Sequence, residues 1–188
     1  RLVTPNELEQ RFVSVNSVSM IYRPPQDADY PGMQALDMEQ NLQDDPAFMQ
    51  MPERERAGRL RTSLASLRFY SRSEHSFVSS DTLYTDPEIP TIVYGYALAQ
   101  SVWMGDKPIV WISSIRVHQD APAGCLAGLL HAVSKSAIDS AVYEIHLAAD
   151  SHLEPVAHRE GYKDAHLKHL VRYLGSRNET APARADDD

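Results

Sequence analysis

Residues 118–137, HQDAPAGCLAGLLHAVSKSA, join a proline-bearing loop to a helix that starts through small side chains. That arrangement suits an anion. The first backbone N–H groups of a helix have no intrahelical acceptor and sit at the positive end of its dipole. Ala123, Gly124 and Cys125 carry little side chain to block a phosphate, while Leu126 and Leu129 would pack the helix onto a core. The competing reading is an ordinary core helix. Cys125 offers a second chemistry, because a helix N-terminus lowers a thiol pKa, although a small packing residue is the alternative. His146, Asp150, His152 and His158 raise metal ligation. Their spacing crosses a strand, a loop and a helix, and it lacks the helical His-x3-His pattern or paired cysteines of metal sites. His166 and His169, an odd separation apart on a strand, fall on opposite faces. No functional metal is expected.

The 188-residue chain suits one compact domain. Its 18 Lys and Arg against 26 Asp and Glu leave a net charge of −8, which argues against a general nucleic-acid binder. Arg54, Arg56, Arg59 and Arg61 make the basic stretch, and with Glu53 and Glu55 among them they read as a solvated helix face. Cys125 is the single cysteine, so no intramolecular disulfide forms and no oxidising compartment is implied. No run approaches the roughly 18 apolar residues of a membrane span, and the first residues lack signal-peptide order. A cytoplasmic protein with no membrane partner is expected. The sequence starts at Arg1 without Met, which leaves a removed leader open.

Elements must position these residues. SVSMIYRP (17–24) alternates as a strand and stops at Pro24-Pro25. A first helix follows from Asp27, broken or started at Pro31-Gly32, with Met33, Leu36 and Leu42 at helical spacing. Across ERERAGRLRTSLASLRFYSR, the stripe Leu60, Leu64, Leu67 and Tyr70 predicts one amphipathic helix. HSFVSSD (75–81) is a short strand. TIVYGYALAQSVWM (91–104) and PIVWISSIRVH (108–118) form a hairpin around Gly-Asp-Lys, with Gly95 marking a bulge or a close approach. Trp103 and Trp111 flank that turn and are expected to pack on each other or on the sheet. The small-residue helix comes next, with Leu126, Leu129, Leu130, Val133 and Ala137 on one face. A strand (141–150), a short helix (152–161) and a last strand (166–175) complete the pattern.

Several stretches share an order with known proteins. MIYRPPQDADYPGMQAL looks like an opening strand and helix, IVYGYALAQSVW like a third strand and VWISSIRV like a fourth. APAGCLAGLL occupies the place of a pyrophosphate loop, and REGYKD looks like the Gly-Phe before the final strands. Together, residues 17–175 resemble the GNAT superfamily of acyl-CoA-dependent N-acyltransferases, in a divergent branch that shares SLRFYSRSEHSF, GYALAQSVW and AVYE. The resemblance implies an α/β (α+β) fold: a single domain whose mixed central sheet, with splayed fourth and fifth strands, is flanked by helices. Residues 1–16 would be an N-terminal arm and 176–188 a disordered acidic tail.

The resemblance also implies acetyl-CoA or another acyl-CoA as cosubstrate, an unidentified amine acceptor, and by analogy a homodimer. It places pantetheine on the backbone of Ser114, Ile115, Arg116 and Val117, and pyrophosphate on Ala123, Gly124, Cys125 and Leu126. Two departures stand out. With the family glycine set on Gly124, Ala121 replaces an Arg or Gln and Leu126 replaces a small residue. Ala157 stands where the family has a Tyr that protonates the leaving thiolate. The family Asn corresponds to Asp150 and an intervening Ala to Leu153. Candidate bases are Glu144, His146 and His118. Two functions follow: an N-acyltransferase, or a catalytically impaired protein of this fold that serves as a binding or interaction module.

Overall fold

The computed structural model describes residues 20–81, 91–166 and 170. The expected arm (1–16), tail (176–188) and nearly all of the last strand (166–175) lie outside the described residues. Strand β1 (Ile21–Arg23) leads through a 3-10 turn into α1 (Tyr30–Asp44). A second 3-10 turn precedes α2 (Glu53–Arg59) and α3 (Leu64–Tyr70). Then come β2 (Phe77–Ser80), β3 (Val93–Met104), β4 (Lys107–Val117), α4 (Cys125–Asp139), β5 (Ile145–Leu147) and α5 (Leu153–Arg159). The five strands lie side by side in sequence order. Neighbours are antiparallel from β1 to β4, whereas β5 is parallel to β4.

Strand alternation divides the core into two layers. Tyr96 and Leu98 of β3 face α1 and α3, where Tyr30, Met33, Leu36 and Leu67 are buried. Ala97 and Ala99, with Ile112 and Ile115 of β4, face α4 and α5. On α4 the buried stripe is Cys125, Leu129, Leu130, Val133 and Ala137, with Leu126 packed at its margin. Each fully buried Leu or Val contributes about 1.5–3 kcal/mol. Among the described residues no helix is long and apolar enough to cross a membrane.

Two buried carboxylates shape the α1 side. Arg23 grips Asp29 in a two-pronged pair at 2.7 and 2.9 Å, and Asp29 also accepts the Gln26 N–H at 2.8 Å. This fixes the turn from β1 into α1, which starts at Tyr30-Pro31 and continues unbroken. Proline suits a first turn, whose N–H groups have no helical acceptors. Asp37 accepts the N–H of Arg61 at 2.6 Å and both the N–H and hydroxyl of Thr62, at 3.1 and 2.9 Å. Those bonds hold 60–63 out of a helix, and Ser63 then caps α3 through the Ser66 N–H at 3.2 Å. The single helix expected over this stretch is therefore two, and Leu64 of the predicted stripe is exposed.

The hairpin β3–β4 carries the remaining corrections. Trp103 lies opposite Pro108 and is 74% exposed, while Trp111 lies opposite Gln100 and stacks on His146 at 6.4 Å. The two indoles do not pair: Trp103 is left largely to solvent and Trp111 meets β5. Gly95 is a close approach, as expected: an added Cβ would stand 2.9 Å from the Arg116 carbonyl oxygen and 3.1 Å from Leu129 Cδ1. Gly128 has a similar role. A Cβ there would overlap the Tyr22 ring, so the phenol of β1 packs directly on the α4 backbone. The strand expected over 141–150 shortens to Ile145–Leu147.

His75 is buried, with Nδ1 against the Ser136 hydroxyl and Nε2 2.9 Å from the Ser101 hydroxyl. Burial pushes its pKa down, opposed by Glu74. The folded state therefore binds this proton less readily than the unfolded chain. Stability should fall as pH drops below about 6.5, the ordinary His value, and level off below the folded pKa. Urea titrations of wild type and His75→Gln between pH 4.5 and 7.5 should show a smaller slope in the variant. A second expectation concerns the ion pair: Arg23→Met leaves the Asp29 carboxylate buried with the Gln26 N–H but without its cation. The substitution should cost about 3–5 kcal/mol in the same measurement.

Candidate functional site

Strands β4 and β5 stay together only where Val110, Trp111 and Ile112 face Ile145, His146 and Leu147. Just beyond, the β3–β4 register shifts: Ala99 pairs with Ile112 but Leu98 pairs with Ser114, which makes Ser113 an extra residue on β4. A bulge re-aims a strand and ends its pairing on one side. From Ser114 to Val117, β4 keeps its β3 partner while β5 turns away towards α5. The result is a groove of about 100 Å³ bordered by Gln40 of α1, Ile115, Arg116 and Val117 of β4, Leu126 of α4 and Asp150.

The free edge of β4 has two chemically different faces. Ser114 and Arg116 pair across the sheet with Leu98 and Tyr96, so their side chains share the α1 layer. His118 continues the alternation, with its N–H on the Tyr94 carbonyl at 2.8 Å. Ile115 and Val117 belong to the α4 layer. The α1 face thus presents a hydroxyl, a guanidinium and an imidazole in a row. Beneath it, the Ser114 hydroxyl lies 3.4 Å from the buried Tyr96 hydroxyl, whose pKa burial and Asp37 push up. His118 is held at both nitrogens. Nδ1 accepts the Asp120 N–H at 3.1 Å, and Nε2 stands 3.3 Å from Glu39 of α1.

At the other margin of the groove, the start of α4 presents backbone donors. Gly124 adopts φ 85° and ψ 0°, a left-handed conformation that favours glycine. The Cys125 N–H bonds the Pro122 carbonyl at 3.2 Å. Among the described residues, the N–H groups of Ala123, Gly124, Leu126 and Ala127 have no backbone acceptor. Ala123 and Gly124 are exposed and Leu126 is half-buried. The donor set is therefore shifted relative to the one the sequence suggested: Cys125 drops out and Ala127 enters.

The sequence candidates are separated in space. His118 stands just past the end of β4, next to Glu39 of α1. Glu144 and His146 lie at the paired part of β5, where Glu144 accepts from Lys107 beside the hairpin turn and meets His146 at 2.6 Å. These contacts, Lys107 first, hold the Glu144 carboxyl below its ordinary pKa. Both residues line a separate cavity of about 550 Å³ with Tyr162 and His158. Burial raises the Tyr162 phenol, opposed by Ser134. Of the residues weighed for a metal, Asp150 is occupied elsewhere: its Oδ1 accepts the N–H groups of His152 and Leu153 at 3.0 and 2.8 Å. His158 instead gathers with Glu154 and Asp164, all exposed, their ligand atoms within 4.8 Å of one another. Ala157 is 2% exposed in the core under α4.

Glu39 and Gln40 were not singled out in the sequence, since nothing in α1 marks them apart from other polar helix residues. Gly128 did carry a signal: glycine inside a helix costs about 1 kcal/mol relative to alanine, so it marks a close packing demand.

Residues 20–186 match the family described as "Protein of unknown function (DUF1999)". The chain belongs to this family. A Thermus thermophilus protein of known structure, TTHA1254, is 31% identical to this DUF1999 chain, over 83% of the chain and 98% of the relative, with a TM-score of 0.58. A "predicted acetyltransferase" from Clostridium acetobutylicum, solved with acetyl-CoA, is 12% identical over 82% and 96%, with a TM-score of 0.57. The aminoglycoside N-acetyltransferase AAC(6')-Iy, solved with a bisubstrate CoA analogue, is 16% identical over 84% and 99%, with a TM-score of 0.57. No curated protein matches the chain. This DUF1999 protein therefore has the GNAT acetyltransferase fold, with the mixed sheet and the parted fourth and fifth strands expected of it.

Cys125 lies at the start of α4 but is 2% exposed, and burial raises its thiol pKa, opposed by Ser79. Desolvation sets the direction here. The native thiol should react with DTNB far more slowly than the unfolded one, at a rate that tracks unfolding when urea is varied.

Proposed function

We propose that this protein is an N-acyltransferase that moves an acetyl or other acyl group from acyl-CoA to an amine. The parting of β4 from β5 beside the open N–H groups of Ala123, Gly124, Leu126 and Ala127 carries this reading. Acyl-CoA would lie on the α4 side, with its pyrophosphate against those donors and its pantetheine amides along the backbone of Ser114–Val117. Leu126 narrows the approach and Ala121 adds no donor, so the grip is a backbone grip.

The amine would enter over the α1 face. The ammonium proton must leave first; the free nitrogen then attacks the thioester carbonyl, a C–N bond forms, the C–S bond breaks, and a second N-bound proton is lost as the amide forms. The Glu39–His118 pair is the base of this reading: it takes the ammonium proton and shares it between carboxylate and imidazole. Ala157 offers no acid, so the thiolate takes a proton from water, and the hydroxide left takes up the second proton lost from the nitrogen. The domain extends over 17–175 in this proposal.

A second reading, a protein of this fold that binds without transferring, is favoured by the buried Ala157 and by the engagement of both His118 nitrogens. Calorimetry with acetyl-CoA, followed by a thiol-release screen over amines, separates the two. Saturable binding with amine-dependent thiol release is expected. Binding without release in the whole screen would favour the second reading, and no binding at millimolar ligand would remove the first. His118→Asn and Glu39→Gln should each lower kcat about 10²–10⁴-fold while acetyl-CoA still binds.

A further inference from the structure

Arg116 is a cation without a fitting partner. Its side chain is 25% exposed, its Nε is enclosed with nothing to bond, and among the described residues its guanidinium donates no hydrogen bond. The nearest carboxylate oxygen, Asp150 Oδ2, stands 3.7 Å from Nη1, outside hydrogen-bond reach. Arginine brings five donors, and buried polar groups are normally satisfied. Arg23 illustrates the ordinary outcome in this protein, a two-pronged grip on Asp29 at 2.7 and 2.9 Å. Asp150 cannot close on Arg116 in that way. Its other oxygen is committed to the N–H groups of His152 and Leu153, which fix the carboxylate at the start of α5.

The position of this guanidinium gives the unspent capacity a direction. Arg116 borders the groove with Gln40, on the same face of β4 as Ser114 and His118 and next to the backbone that β5 has left free. A group bound there would touch whatever lies over the α1 face. The planar fork of arginine matches a carboxylate through two parallel hydrogen bonds.

We infer that Arg116 binds a carboxylate of a substrate, which makes the protein selective for a carboxylate-bearing partner in acyl transfer; the inference rests on the acyltransferase reading above. Two sources share this chemistry. The carboxylate belongs either to the acceptor, as in an amino acid, or to the far end of the acyl group, as in a dicarboxylic acyl thioester. Asp150 is the competing anion beside the groove, and the incoming carboxylate displaces its loose contact with Arg116.

The test has a transfer arm and a binding arm. In the first, thiol release is followed with acetyl-CoA and each L-amino acid against its amide, and with succinyl-CoA against acetyl-CoA on the amides. In whichever pair carries the source, the carboxylate form should be favoured about tenfold or more in kcat/KM. Arg116→Met should erase that ratio and Arg116→Lys should retain part of it. In the second arm, calorimetry measures succinate and N-acetyl amino acids on the protein alone. Arg116→Met should weaken binding about tenfold or more. Asp150→Asn, which keeps the Oδ1 acceptor, should tighten it. Equal turnover of acids and amides together with equal use of succinyl- and acetyl-CoA would overturn the inference, as would a preference that survives in Arg116→Met. If no substrate pair is turned over, the acyltransferase reading fails first and the binding arm decides: carboxylate binding that ignores both variants, or no binding at all, overturns the site.

Discussion

Parallel strands share evenly spaced hydrogen bonds, and in this protein β4 and β5 keep them at only three register positions. The rest of the candidate site depends on that early separation. Because Ser113 is extra, β4 stays bonded to β3 through Val117 and yet turns its other edge away from β5. The edge would be costly to bury without partners. It is tolerable because it borders a groove, and a groove bordered by free backbone groups is equipped to hold amides.

The same bulge explains why the two faces of β4 differ in character. Beyond it, the strand alternates strictly, so Ile115 and Val117 complete the apolar layer under α4 while Ser114, Arg116 and His118 look towards α1. The buried pairs on that side then act as positioning devices. Arg23 with Asp29 sets where α1 begins, and Asp37 ties α1 to the chain before α3. With α1 fixed at these two points, Glu39 comes within 3.3 Å of His118, and Gln40 borders the groove. On the opposite face, the Tyr22 ring on Gly128 and the Gly95 contact with Leu129 bring α4 close to the sheet, which sets the height of its first turn over the groove.

Much of the fold was legible in the sequence because it rests on local rules. Alternation marked β3 and β4, Gly105 supplied the positive φ of their turn, and the leucine spacing marked α4. The split between α2 and α3 was not legible: the stripe Leu60, Leu64, Leu67, Tyr70 satisfies helical spacing, and only the distant Asp37 overrules it. Trp103 and Trp111 illustrate the same limit. Proximity to a turn says they are near in sequence, whereas register decides what each one meets. Glu144, His146 and His118 were indistinguishable as bases by residue type. Their separation into a paired strand and the end of β4 depends on where β5 leaves β4.

Neighbours along the chain were enough to set the order of elements from β2 to α5, the small-residue start of α4 and the identities at Ala121, Leu126 and Ala157. Only the folded arrangement could settle that the Cys125 N–H is spent on Pro122, that Cys125 is buried, and that Glu39 faces His118. It also settled that Arg116 stands beside a carboxylate already committed elsewhere. The physical reason is common to all four. A hydrogen-bonding group is spent or available according to what the fold brings within about 3 Å of it, and that distance is set by strand register and helix placement rather than by sequence separation.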